Sequence, residues 1–125
     1  MKTAMIGAGA IGGIYAALLA KAGEKPLLID ADSEKVKKIS QDGLMVEGWG
    51  SFALPILSKP PQEVQDLVLI ATKTYLNISV YPSLQPLIGP KTTIVTLQNG
   101  FGNGEALAKL YAAAQICVGS TYWGA

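Results

Sequence analysis

The run Gly7-Ala8-Gly9-Ala10-Ile11-Gly12 has the spacing G-x-G-x-x-G, between an apolar stretch at residues 3–6 and an Ala- and Leu-rich segment at 11–22. In a strand-to-helix context each glycine has its own mechanical use. Gly7 permits the tight turn out of the strand, Gly9 lets backbone approach a diphosphate with no Cβ in the way, and Gly12 lets the helix pack closely on the strand. The helix start adds unpaired N–H groups and the positive end of its macrodipole. Asp30 follows 18 residues after Gly12, at the end of a second apolar run. A carboxylate there accepts hydrogen bonds from ribose hydroxyls. Gly7, Ala8, Gly9, Ala10, Ile11, Gly12 and Asp30 are therefore the expected contacts of a dinucleotide. The plainer alternatives are an ordinary empty turn, and an Asp30 that bonds local backbone.

Asp30 also bears on which dinucleotide. Its charge repels a 2′-phosphate, a group normally bound by arginine, and the next residues are Ala31, Asp32 and Ser33. NAD is favoured over NADP on that ground, with Lys35 near enough in sequence to keep NADP open.

The elements that must position these residues alternate. Short apolar runs at 3–6, 26–30, 67–71, 93–97 and 116–119 are separated by helical patterns, the mark of βαβ units and a parallel sheet. Helices are expected at 11–22, with Gly23 at the C-terminus; from an N-cap at Asp32 or Ser33 to Gly43, with Val36 and Ile39 inward; within 76–88, where Pro82 obscures the start; and at 104–113. Residues 44–47 and 52–57 flank Gly48-Trp49-Gly50-Ser51 as a hairpin. A short helical turn is expected after Pro60-Pro61. The run 67–71, LVLIA, reads as a strand covered on both faces. The fold class is α/β: a Rossmann-type, doubly wound, mostly parallel sheet with an inserted β-hairpin.

Lys73 and Asn99 fall just past the ends of two of these strands, where open α/β sheets bind ligands. A lysine donates to carboxylate or phosphate oxygen, and an asparagine offers one acceptor and two donors to a carboxamide or keto acid. An exposed lysine and a turn asparagine before Gly100 are the plain alternatives.

Composition excludes several classes. Ten basic and nine acidic side chains in 125 residues give a net charge of +1, with no footprint for nucleic acid. Lys35, Lys37 and Lys38 read as a solvated helix face. There is no histidine and one cysteine, so neither a histidine-based nucleophile apparatus nor the usual zinc ligand set can be assembled. Cys117 lies in an apolar run, is expected to be a buried core thiol, and fits a reducing, cytoplasmic compartment. Residues 3–20 carry no charge and are flanked by Lys2 and Lys21, which raises a secretory leader as a rival reading. The glycines interrupt that run and it is marginal as a span, so no membrane partner is expected.

Three segments together, GAGAIGG at 7–13, DLVLIATKTY at 66–75 and TLQNGFGN at 96–103, resemble the ketopantoate reductases, also called 2-dehydropantoate 2-reductases, over essentially the whole chain. The Thr-Lys pair and the Gln-Asn-Gly are far more specific than the glycine loop. The resemblance implies an NAD(P)-dependent oxidoreductase that reduces a small 2-oxoacid, 2-dehydropantoate to pantoate, in pantothenate and coenzyme A synthesis. It implies that residues 1–125 are the cofactor-binding domain. A mostly helical second domain, outside these residues, would hold the catalytic acid and pair two subunits into a homodimer. No catalytic residue is expected on this chain. Lys73 and Asn99 would line the cofactor and substrate cleft, and Ala125 would contact the cofactor. One departure stands out: members using NADPH typically carry arginine where this chain has Ala31. A reductase of another 2-oxoacid or hydroxy acid, a non-enzymatic NAD-sensing module and an S-adenosylmethionine-dependent methyltransferase remain as alternatives.

Overall fold

The computed structural model describes residues 1–99 and 102–119. The elements run β1 (Thr3–Ile6), α1 (Ala10–Lys21), β2 (Leu27–Ile29), α2 (Ser33–Asp42), β3 (Leu44–Val46), β4 (Gly50–Phe52), β5 (Ile56–Leu57), β6 (Leu67–Ile70), α3 (Asn77–Ser83), β7 (Thr93–Thr96), α4 (Asn103–Ala108) and β8 (Ile116–Val118). Six strands form one sheet in the order β5-β2-β1-β6-β7-β8, every pair parallel. From β1 the chain winds outward through β2 and β5, then returns to lay β6, β7 and β8 on the other side. The strand order therefore reverses between β1 and β6, and the crevice at their carboxyl ends is where such sheets bind ligands.

Alternate residues of the central strands feed two cores. Ala4 and Ile6 of β1 join Val68, Ile70, Ile94 and Leu84 on the face covered by α3 and α4. Met5 and Leu28 join Ala16, Ala17, Ile39 and Leu44 on the face covered by α1, α2 and the hairpin. Buried Gly12, Gly13, Ala16 and Ala17 give α1 a bare face that comes close to the sheet. Asp32 caps α2, its carboxylate accepting from the backbone N–H of Glu34 and Lys35, and Gly43 (φ +81°) ends the helix. The uncharged run 3–20 is β1, the glycine turn and most of α1. Among the described residues no helix is long and apolar enough to cross a membrane.

Four local expectations change. The hairpin is only β3 and β4, Leu44 opposite Phe52, while Ile56 and Leu57 pair in parallel with Leu28 and Ile29 at the sheet edge. Pro55 explains the break: it has no N–H to continue the hairpin ladder, and its carbonyl accepts instead from Leu28 N. No helical turn follows Pro61; Glu63 N donates to Pro61 O and the segment stays irregular up to β6. The helix expected at 104–113 starts at Asn103 and stops at Ala108. Cys117 is exposed rather than buried, because β8 lies at the sheet margin with β7 as its one neighbour among the described strands.

Tyr111 reaches across from beyond α4 and donates its hydroxyl to the carbonyl of Tyr81 in α3. Burial raises the pKa of both phenols above 10.0. A phenol that stays protonated in the folded chain but ionises when unfolded leaves stability unchanged below pH 10 and lowers it above. Urea midpoints should therefore be flat through neutral pH and fall beyond pH 10, with a shallower alkaline fall in Tyr111→Phe. Equal slopes in the two proteins would show that Tyr111 contributes nothing to the fall.

Candidate functional site

The turn after β1 is built by contact. Gly7 has φ +96°, which strains any L side chain, donates its N–H to Ile29 O at 2.8 Å, and would place a Cβ in tight contact, 3.0 Å from both Thr72 N and Thr72 Cγ2. A Cβ on Gly12 would lie 1.9 Å from the carbonyl oxygen of Gly7. Helix α1 thus starts directly against the turn, backbone on backbone. Gly9 is the opposite case: nothing lies within 4 Å of where its Cβ would stand. It is the N-cap of α1 without a side-chain cap, and the first helical bond runs from Gly13 N to Gly9 O. The N–H groups of Ala10, Ile11 and Gly12 precede that bond and have no partner within the helix. Gly9 and Ala10 are exposed, Ile11 is half-buried and Ala8 is buried.

Asp30, at the end of β2, locks onto this turn. Its Oδ2 accepts from Ala8 N at 2.8 Å and lies 3.4 Å from Lys35 Nζ, while Oδ1 accepts from Asp32 N at 2.9 Å. The Asp30 side chain is 12% exposed and that of Lys35 36%. The carboxylate therefore bonds local backbone and also faces the cleft. Lys35, expected on a solvated face, is drawn inward by this pair, while Lys37 and Lys38 are exposed.

A cleft of about 410 Å³ runs along the carboxyl ends of β1, β2 and β6. Gly7, Gly9, Asp30 and Lys73 all line it, with Thr72 beside them and Ser79, Val80 and Ser83 of α3 on the far wall. Lys73 is exposed and precedes a 3₁₀ turn at Thr74–Leu76. Asn99 is exposed beyond β7 and is not part of this lining; its carbonyl accepts from Thr74 Oγ1 at 3.0 Å and from Asn103 Nδ2 at 3.2 Å. Ala125 lies outside the described residues.

Sequence reasoning missed the residue with the richest bonding here. Gln98 is 7% exposed. Its Nε2 donates to Thr72 O at 3.0 Å and to Asn77 Oδ1 at 2.6 Å, and its Oε1 accepts from Tyr81 OH and from Thr96 Oγ1. The signal was present, since Gln98 lies within the Gln-Asn-Gly motif, but a glutamine that binds a ligand and one that ties two loops together read alike in a sequence.

The family model described as "Ketopantoate reductase PanE/ApbA" matches residues 3–125. A 2-dehydropantoate 2-reductase of Aquifex aeolicus is 30% identical over 129 aligned positions, covering 99% of this chain and 40% of that protein. A D-mandelate dehydrogenase, solved with NADH and anilino(oxo)acetate, superposes with a TM-score of 0.91 at 29% identity, covering 99% of this chain and 42% of that one. The 2-dehydropantoate 2-reductase of Geobacter metallireducens superposes with a TM-score of 0.79 at 34% identity over 94% of this chain and 40% of its own. The chain spans about two fifths of the length of these relatives.

The two tight glycine contacts and the open one separate folding from binding. Gly12→Ala should destabilise the chain by about 1–3 kcal/mol, since the atom in the way is backbone and cannot swing aside. Gly9→Ala, at φ −79° in open space, should unfold at the same urea concentration or slightly above. Urea titration of both variants checks this, and a Gly12→Ala midpoint equal to wild type would contradict the packing argument.

Proposed function

The chain belongs to the ketopantoate reductase family, and from that premise we propose that residues 1–125 hold a nicotinamide dinucleotide for the reduction of a small 2-oxoacid. One observation carries the reading: the open surface over Gly9, at the uncapped start of α1, shares a cleft with the Asp30 carboxylate. The residues fit such a cofactor. Free N–H groups at the α1 start suit a diphosphate. Asp30, held in place by Ala8 N and Asp32 N, presents carboxylate oxygen toward an adenosine ribose.

A bound nicotinamide supplies the hydride-transfer chemistry. This chain's residues bind and orient: Gly7, Ala8, Gly9, Ala10, Ile11 and Gly12 take the diphosphate, Asp30 the ribose, and Lys73, Asn99 and Ala125 the groups nearer the reacting carbon. Lys73 is suited to a carboxylate or phosphate oxygen and Asn99 to a carboxamide or keto acid. The proton for the nascent alkoxide comes from a general acid beyond residue 125, on a helical domain that also pairs two subunits. The relatives' name makes 2-dehydropantoate the first substrate to test, in pantothenate synthesis in the cytoplasm. The likeness to a D-mandelate dehydrogenase favours, as a second reading, another 2-oxoacid or 2-hydroxy acid on the same domain.

NAD is the proposed cofactor. The Asp30 charge opposes a 2′-phosphate, and Lys35, the nearest cation, is already paired to that carboxylate. Titration of the chain with NADH and NADPH in parallel should give tighter NADH binding. Asp30→Ala should narrow the gap by about tenfold, because it removes the repulsion and releases Lys35 together. Failure of both nucleotides to bind at millimolar concentration would end the reading; tighter NADPH binding by the wild-type chain would reverse the cofactor assignment alone.

A further inference from the structure

Three carboxamides close a ring at the carboxyl ends of β6 and β7. Gln98 Nε2 donates to Asn77 Oδ1 at 2.6 Å, Asn77 Nδ2 donates to Asn103 Oδ1 at 3.0 Å, and Asn103 Nδ2 donates to the carbonyl of Asn99, the residue after Gln98, at 3.2 Å. The direction of every bond is fixed from outside. Thr72 O and Asn99 O are backbone carbonyls that can only accept, so the Gln98 and Asn103 amides must present nitrogen to them. With Gln98 Nε2 committed on one side, its oxygen takes Tyr81 OH and Thr96 Oγ1. Thr72 Oγ1, 3.3 Å from Nε2, shares the donor that faces Thr72 O, so both N–H groups and the oxygen of this amide are fully engaged. Gln98 and Asn103 are buried and Asn77 half-buried, so water is a poor substitute for any of these partners.

The ring joins segments that carry different parts of the site. Asn77 opens α3, directly after the loop bearing Lys73; Asn103 opens α4; Gln98 and Asn99 leave β7. Thr74 Oγ1 adds a second donor to Asn99 O from the same Lys73 loop. The Asn99 carbonyl is thereby pinned from two elements, and the backbone that aims the Asn99 side chain is fixed relative to Lys73.

We propose that Gln98, Asn77 and Asn103 form a positioning latch that holds the Asn99 loop in register with the Lys73 loop, and so sets the site for the nicotinamide end of the cofactor rather than its adenosine end. The inference rests on the dinucleotide reading above. The asymmetry follows from topology: Asp30 and β2 lie on one side of the reversal between β1 and β6, and the latch lies on the other, at β6 and β7. Among the described residues no hydrogen bond joins the latch to Asp30 or Gly9.

The test compares NADH with ADP-ribose, which shares everything with it but the nicotinamide. Asn77→Ala cuts the ring at its most accessible member and should weaken NADH binding by about tenfold, the scale of one lost buried hydrogen bond, while ADP-ribose binding changes less than about twofold. Asn77→Asp keeps the volume and the acceptor but turns an oxygen toward Asn103 Oδ1, so it should fail like alanine. Amide hydrogen exchange without any ligand should speed up together at residues 74–76 and at Asn99 in both variants. Wild-type NADH affinity in Asn77→Asp, equal loss of both ligands, or unchanged exchange at Asn99 would each overturn the latch. Failure of the wild-type chain to bind either ligand, with exchange still coupled between the two loops, would instead overturn the dinucleotide reading and with it the latch's role in binding.

Discussion

The approach of α1 to the Gly7 carbonyl is the constraint from which the rest of the site follows. With 1.9 Å between that oxygen and an imagined Cβ on Gly12, no other side chain lets the helix begin where it does. The helix start therefore sits against the end of β1, at the point where the strand order reverses. Gly13, Ala16 and Ala17 extend the same bare face along α1, so the helix can lie low over the sheet and leave Leu44 of the hairpin in contact with it. Low packing fixes where the unpaired N–H groups emerge. Asp30 then ties β2 to the turn through Ala8 N. Two neighbouring strands and one helix end are rigidly related by backbone contact and a single carboxylate.

The regularities that repeat were legible in the sequence. Glycine spacing, the alternation of apolar runs with helical pattern, and the capping Asp32 each depend on residues close together in the chain, and the structure carries all three. The features that were not legible depend on distant partners. Nothing near Ile56 says that it pairs with Leu28 instead of extending the hairpin; the proline before it gives only the break. Cys117 has the apolar neighbours of a core strand, and its exposure comes from its rank in the sheet, which local pattern does not encode. At the site, Gly7, Gly9, Asp30 and Lys73 line one cleft, whereas Asn99 stands apart from that lining and is held by Thr74 and Asn103.

The polar cluster around Gln98 illustrates a different kind of information. A glycine loop is defined by absence of side chains, so its signature survives in any sequence that keeps the spacing. A ring of amides is defined by direction, each member donating onward, and only the folded arrangement of its partners sets which way it runs. Its buried members are well matched in number of donors and acceptors, the condition under which a polar group inside a protein specifies geometry instead of weakening the fold.

The two margins of the sheet are unlike. At β5 the margin is two residues long, with Pro55 on one flank and Pro60-Pro61 soon after the other, residues that cannot donate to an added strand. At β8 the margin is three residues long, carries no proline, and exposes Cys117 and Val118. One side is blunted and the other is a free template of backbone groups among the described residues. Among the described residues, then, the two margins differ in what they offer a neighbouring strand: flanking prolines at β5, and backbone with one paired side at β8.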